Sequence, residues 1–177
     1  TGDSASWSQT FNSKHVGTGK TLTPSGTVSD GNSGNNYSCT FVPVYTGIIT
    51  QRAITVTSVT DSKVYDASTS SSGIPTITTG SLATGDSATW TQTFDNRHVG
   101  TVKTMFPAGT VSDGNSGNNY LVTFATVDLG TITKRSITVT AVSASKVYDR
   151  TTSSGGTPYI SSGSLAGRSG GLSPSSC

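Results

Sequence analysis

The sequence predicts an all-β chain made of tandem sandwich repeats, and three observations carry that prediction. The 177 residues contain no Glu, and Ser, Thr and Gly dominate, so the residues that build surface helices are nearly missing. Short runs alternate apolar and polar residues and are broken by Gly, Asn and Asp. Third, the chain aligns with itself without a gap at a shift of 83 residues. "TGDSASWSQTF" from Thr1 returns as "TGDSATWTQTF" from Thr84, "ITVTSV" as "ITVTAV", and "SDGNSGNNY" at 29–37 returns letter for letter at 112–120. A fixed period of this size marks tandem modules.

The elements follow from the alternation. In "ATWTQTF", Ala88, Trp90, Gln92 and Phe94 face one way and Thr89, Thr91 and Thr93 the other, which gives a strand with one core face. Ile54 and Val56 alternate with Thr, Ile74 and Ile77 come from "IPTIT", and Tyr120, Val122 and Phe124 share one side of "NYLVTF". About seven such strands per period is the size of a small immunoglobulin-like sandwich, with its core around Trp90 and, in the preceding copy, Trp7. Residues 1–51 then form the back part of one repeat, 52–134 a complete repeat and 135–166 the front part of a third, while 167–177 is a low-complexity tail expected to be unstructured. "GIITQRAITVT" and "GTITKRSITVT" join the copies without a Gly, Pro or Ser-rich spacer, so the repeats are expected to sit end to end with little bending. The chain opens in mid-pattern, as a piece of something longer would.

Charge excludes some partners. Only 11% of residues are charged, the formal net charge is +2, and Lys and Arg are scattered singly, so nothing forms a nucleic-acid or anionic-lipid footprint. No apolar stretch is long enough to cross a bilayer. Of the two cysteines, Cys39 lies on a predicted strand face with Tyr37 and Phe41, where the other copy has Val122, and is expected to be a small buried hydrophobe. Cys177 ends the tail, and no geometry imposes a bridge between the two.

Candidate chemistry is sparse. "SDGNSGNNY" offers weak calcium candidates in Asp30, Asn32, Asp113 and Asn115. An EF-hand loop needs Gly at its sixth position and a bidentate Glu at its twelfth, and counting from Asp30 these fall on Asn35 and Phe41. One carboxylate makes a poor cage for a divalent ion, and the string reads better as a hairpin turn whose residues accept positive φ. Tyr37 and Tyr120, just after it, fit a tyrosine corner in which the hydroxyl returns to nearby backbone. His15 and His98 lie beside turn glycines with no second ligand at metal spacing and no nucleophile elbow, so no catalytic residue, metal or cofactor is expected. Lys63 in "SKVYD" is expected to pack its stem on Tyr65, with Tyr148 as the equivalent in the third copy. A buried Lys beside Asn and an acid could also form an internal amide cross-link, but no partner is identifiable.

At "SKVYD" the chain resembles the YDG-type repeat domain of large bacterial surface and secreted proteins, including filamentous-haemagglutinin-like adhesins. The resemblance runs from residue 1 to about 166 through "ITVTSVTDSKVYDASTS", "GSLATGDSATWTQTFDNRHVGT", "GTVSDGNSGNNY" and "GTIT". It implies an immunoglobulin-like fold, export to the cell surface or medium, and a place in a repetitive stalk, and it carries no catalytic residues. The naming Tyr-Asp-Gly is here Tyr65-Asp66-Ala67 and Tyr148-Asp149-Arg150, so the turn must accept a side chain. The expected function is a non-enzymatic spacer, and the alternative is a module that binds a host glycan or protein weakly and gains strength by repetition. Neighbouring repeats are the expected partners. The cut ends should expose unpaired edges through which two chains could associate head to tail.

Overall fold

The structure, a computed structural model, describes residues 2–167. Among them no helix forms, and twelve strands make four sheets, two of three strands, one of four and one of two. An all-β chain of several sheets is consistent with a β-sandwich. The chain packs as two compact units. The first takes the residues up to Val56 with Ile77–Thr89 and Gly109–Thr123, and the second takes Thr57–Thr76, Trp90–Ala108 and the chain from Phe124 on.

In the first unit, β1 (Ser4–Phe11) pairs antiparallel with β2 (Gly17–Ser29), in register from Ser4 opposite Ser29 to Phe11 opposite Leu22. β3 (Val44–Ile49) adds to the other edge of β2 with two register shifts. Gly26 is required here, because the Trp7 indole and the Ser6 carbonyl occupy the space that a Cβ would fill. Two residues after β3 the chain enters β4 (Arg52–Thr57), which lies between β6 (Thr76–Thr79) and β9 (Tyr120–Ala125). Ile54 and Val56 on β4 are buried, as are Tyr120 on β9 and Val111. Arg52 fixes the loop after β6, donating from Nε to Ser81 O at 2.6 Å and from Nη2 to Ser81 Oγ at 2.7 Å.

The second unit holds the core of Phe94, Met105 and Ile132, with Tyr65 and Val127 packed against it. These side chains come from β7 (Ser87–Phe94), β8 (Gly100–Ser112) and β10 (Val127–Thr133), and from the segment after β5 (Ser62–Val64). β5 runs parallel to β10 through Ser62 and Thr131, Lys63 and Ile132, and Val64 and Thr133. Buried Gln92 acts as a surrogate strand, accepting from Val59 N at 2.8 Å and donating to Val59 O at 3.0 Å. Ser58 Oγ donates to Met105 O at 2.8 Å and accepts from Val127 N at 3.1 Å. Side chains thus pair backbone groups of the Val59 segment and of the irregular β8–β10 ladder, as the cost of leaving a shielded amide unpaired requires. β11 (Thr138–Thr140) and β12 (Tyr159–Ser162) form a two-stranded ribbon with every residue exposed.

The alternation in "ATWTQTF" holds: Gln92 and Phe94 are buried, Ala88 and Trp90 half-buried, and Thr89, Thr91 and Thr93 exposed. Seven strands, β4 to β10, lie between Arg52 and Thr133. Three expectations fail. Ile74 is 67% exposed and outside β6, and the adjacent Pro75 is the residue fully buried. Cys39 is exposed, and residues 37–43 form no strand although their counterparts make β9. The reason is pairing: β9 is held by β4, whereas among the described residues no strand pairs with 37–43. Trp7 is accordingly 58% exposed, whereas Trp90 is half-buried.

Candidate functional site

The recurring loop is organised by its aspartate. Asp113 Oδ1 accepts from Asn115 N at 2.7 Å and Gly117 N at 2.8 Å, and Oδ2 accepts from Asn119 N at 3.0 Å. Asp30 repeats the arrangement with Asn32 N, Gly34 N and Asn36 N at 2.8, 2.7 and 3.0 Å. The coil needs left-handed residues, and they fall alike on Gly114, Ser116 and Gly117 and on Gly31, Ser33 and Gly34. Burial acts to raise the Asp113 pKa, but the three amides outweigh it and leave the carboxyl below its ordinary range. At Asp30 the Asn36 amide leads and the shift is again downward. Both carboxylates therefore serve backbone donors. Asn115 and Asn32, the remaining calcium candidates, turn their side-chain amides to Asn119 Oδ1 at 2.9 Å and Asn36 Oδ1 at 3.0 Å. Among the described residues no three His, Cys, Asp or Glu side chains stand together as a metal site.

The string is a turn but not a hairpin. It leads from β8 into β9, and these strands belong to different sheets. A cage is needed because such a corner has no ladder to satisfy its amides.

Asn119 connects this loop to a distant turn. Its Oδ1 accepts from Val16 N at 3.0 Å, and its Nδ2 lies 3.2 Å from His15 Nδ1, which accepts in that geometry. Asn119 O also accepts from Arg52 N at 2.9 Å, and Gln51 Nε2 donates to Asn118 O and Tyr120 O at 3.2 and 3.3 Å. The two residues between β3 and β4 are thus bracketed by the loop. Lys14, Val16, Arg52, Asp86 and Tyr120 are among the residues around a cleft of about 340 Å³ beside this contact. Sequence reasoning missed Asn119, His15 and Val16 in this role. Their signal was the identity of both strings in the two copies, which descent alone also explains.

The Tyr120 hydroxyl accepts from Ala83 N at 2.8 Å and donates to Asp86 Oδ2 at 2.6 Å, and burial with the Asp86 bond raises its pKa. The expected return to nearby backbone is corrected: the partners are a carboxylate and an amide far back in the chain. Tyr37 makes the matching carboxylate bond, donating to Asp3 Oδ2 at 2.7 Å, in an exposed setting. The aromatic anchors differ in the same sense. Trp90 stands edge-on to Phe124 at 6.0 Å, and Trp7 stands likewise to Phe41 on an open face.

Lys63 reaches past Tyr65. Its Nζ contacts Asp66 Oδ1 at 2.9 Å, Ser68 O at 2.9 Å and Ser68 Oγ at 3.0 Å, and lies 5.3 Å from the Phe94 ring centre. Tyr65 instead packs on the core. The Lys63 hydrogen bond leads in lowering the Asp66 pKa to about 2. Lys146, Asp149 and Thr151 reproduce this knot, while Tyr148 is 84% exposed. Ala67 and Arg150, where the naming motif has Gly, hold φ of +69° and +61°.

His98 is exposed. Its turn is braced by Asn96 Oδ1, which accepts from His98 N at 3.0 Å and from Lys103 Nζ at 2.7 Å. Lys103 Nζ also pairs with Asp95 Oδ1 at 2.7 Å, and that bond leads in lowering the Asp95 pKa. In the earlier copy Ser13 Oγ takes the bracing role for His15 N at 3.3 Å and Lys20 Nζ at 2.9 Å. Cys177 lies outside the described residues, as does most of the tail.

Residues 50–128 match the family model of the YDG domain. No curated protein and no solved structure matches the chain.

Proposed function

We propose that the chain is a non-catalytic structural segment of a large bacterial cell-surface or secreted adhesin, a stalk or spacer of tandem immunoglobulin-like repeats set end to end. The observation that carries this is the contact of the 113–120 loop with His15 and Val16, across two connecting residues that the loop itself pins. A loop spent on its neighbour is what a spacer needs. The YDG match at 50–128 agrees with a repeat beginning near Arg52. Its partners are neighbouring repeats of the same chain, and its place is outside the cell.

Small-angle scattering of the dilute chain, in calcium and then in chelator, tests this. An extended profile that calcium does not change is expected. A flexible particle that stiffens with calcium would overturn the spacer reading in favour of a metal-set joint, and saturable retention of the chain on a glycan or host-protein array would favour a binding module.

A further inference from the structure

A buried lysine beside an asparagine and an acid occurs in this chain at Lys103. Its side chain is 6% exposed, and its Nζ lies 2.7 Å from Asn96 Oδ1 and 2.7 Å from Asp95 Oδ1. The same carboxylate holds the amide through its other oxygen, since Asn96 Nδ2 donates to Asp95 Oδ2 at 3.0 Å. The amide oxygen also accepts from His98 N at 3.0 Å. An amine, an amide with a backbone donor on its oxygen, and a carboxylate touching both nitrogens thus stand together. The strands place them. Asp95 N donates to Thr104 O at 2.9 Å, which sets the end of β7 against β8. A bulge in β8, between the pairs Gly100 with Ile132 and Lys103 with Gly130, leaves Val102 at φ +58° and 71% exposed while Lys103 turns inward. Positive φ strains a β-branched residue, and such strain gathers where a side chain must be aimed. All of these residues belong to the second unit and to the complete repeat, so the set is whole within the chain.

We propose that Lys103 and Asn96 join in an autocatalytic isopeptide bond, with Asp95 as the proton shuttle. Asp95 Oδ1 takes a proton from the Lys103 ammonium and frees the amine to attack Asn96 Cγ. The His98 N–H faces the oxygen on which negative charge develops. Asp95 Oδ2 delivers protons to Asn96 Nδ2, the leaving group. A C–N bond forms between Nζ and Cγ as the bond between Cγ and Nδ2 breaks. Nζ gives up two protons, and Nδ2 departs as ammonium carrying both, so charge is conserved and nothing is oxidised. The reacting groups are already held in contact, which is where proximity contributes most. The product is an amide staple between the turn after β7 and strand β8. The first repeat is a built-in control: Asn12 and Ser13 stand at the places of Asp95 and Asn96, and Lys20 Nζ meets Ser13 Oγ at 2.9 Å. With a hydroxyl where the amide should be and an amide where the acid should be, no cross-link is expected there.

Mass spectrometry of the folded 177-residue chain after incubation at neutral pH tests the assignment. The expected intact mass is one ammonia below the sequence mass. Trypsin cuts after Arg97 and separates Asn96 from Lys103 in an unlinked chain, so the linked chain should give Val64–Arg97 joined to His98–Lys134, with Lys103 uncut. The first-repeat peptides Thr1–Lys14 and His15–Lys20 should come apart. Asp95→Asn and Asn96→Ser bring in residues that the first repeat already carries at these places. Each should abolish the joined peptide and restore the full mass, with native tryptophan fluorescence showing that the fold is kept. A full-mass wild type whose Asn96 and Lys103 peptides separate overturns the proposal. So does an ammonia loss without a joined peptide, which marks a cyclic imide at an asparagine instead. A joined peptide that persists in Asp95→Asn also overturns it, because the carboxylate would then not be the shuttle.

Discussion

Ala67 holds a backbone conformation made for glycine, and replacing it tests how the Lys63 knot is formed. Its φ is +69°, in the left-handed region, where an L-residue with a Cβ costs roughly 1–2 kcal/mol. Gly removes that cost but loses more chain entropy on folding, about 0.4–1 kcal/mol. Ala67→Gly is therefore expected to stabilise the fold by about 0.5–1 kcal/mol, a Tm rise of several degrees for a unit of this size, on the order of 4 °C. Ala67→Val should move the other way, because a β-branched residue is least tolerated at positive φ. Arg150→Gly relieves the same conformation at φ +61°, but in an exposed segment, and should leave the main transition unchanged. Urea unfolding followed by tryptophan fluorescence reads all three. Unchanged or lower stability in Ala67→Gly would refute the argument, because the left-handed turn would then carry no strain for Gly to relieve.

Gln92→Leu keeps volume but orphans the Val59 N–H and C=O that Gln92 pairs, and should destabilise by about 2–4 kcal/mol in urea unfolding. Met105→Ala, at a fully buried core site, should cost about 2–5 kcal/mol by the same measurement. The Asp66 carboxyl should titrate near 2 by NMR, and Lys63→Met should return it toward the ordinary value. Because the folded pKa is the lower one, the contribution of Asp66 to stability is complete above its unfolded pKa of about 3.9 and fades as pH falls through about 2. Cys39 should react with a thiol reagent in the native chain at close to the rate of a free thiol, read by peptide mapping, and protection that lasts until unfolding would contradict its exposed position.

The strands were legible because their cause is local. The period-2 pattern of "ATWTQTF" encodes which side chains enter the core, and β7 follows it residue for residue. Positive φ in "DGNSGN" was equally legible from Gly and Asn. What failed depended on who pairs with whom. Cys39 carries the local pattern of a strand as well as Val122 does, but a strand exists only where a neighbour accepts its hydrogen bonds, and the sequence of 37–43 does not contain that neighbour. The loop was misread as a hairpin for the same reason, since β8 and β9 are consecutive in the chain yet enter different sheets. Asn119 was invisible because nothing local distinguishes an Asn that caps its own turn from one that also reaches a backbone 103 residues away.

The parallel pairing of β5 with β10 has a mechanical meaning. β5 stands near the start of the seven-strand stretch and β10 at its end, and they run side by side in the same direction. Tension arriving at Ser62 from the N-terminal side and leaving Thr133 toward the C-terminal side slides the two strands past each other. The rungs at Ser62, Lys63 and Val64 then bear load together, whereas an antiparallel hairpin pulled at its open end would peel one bond at a time. Forced unfolding is governed by the rate of crossing the unfolding barrier, so rungs that must rupture in concert resist a pull for longer than their equilibrium stability suggests.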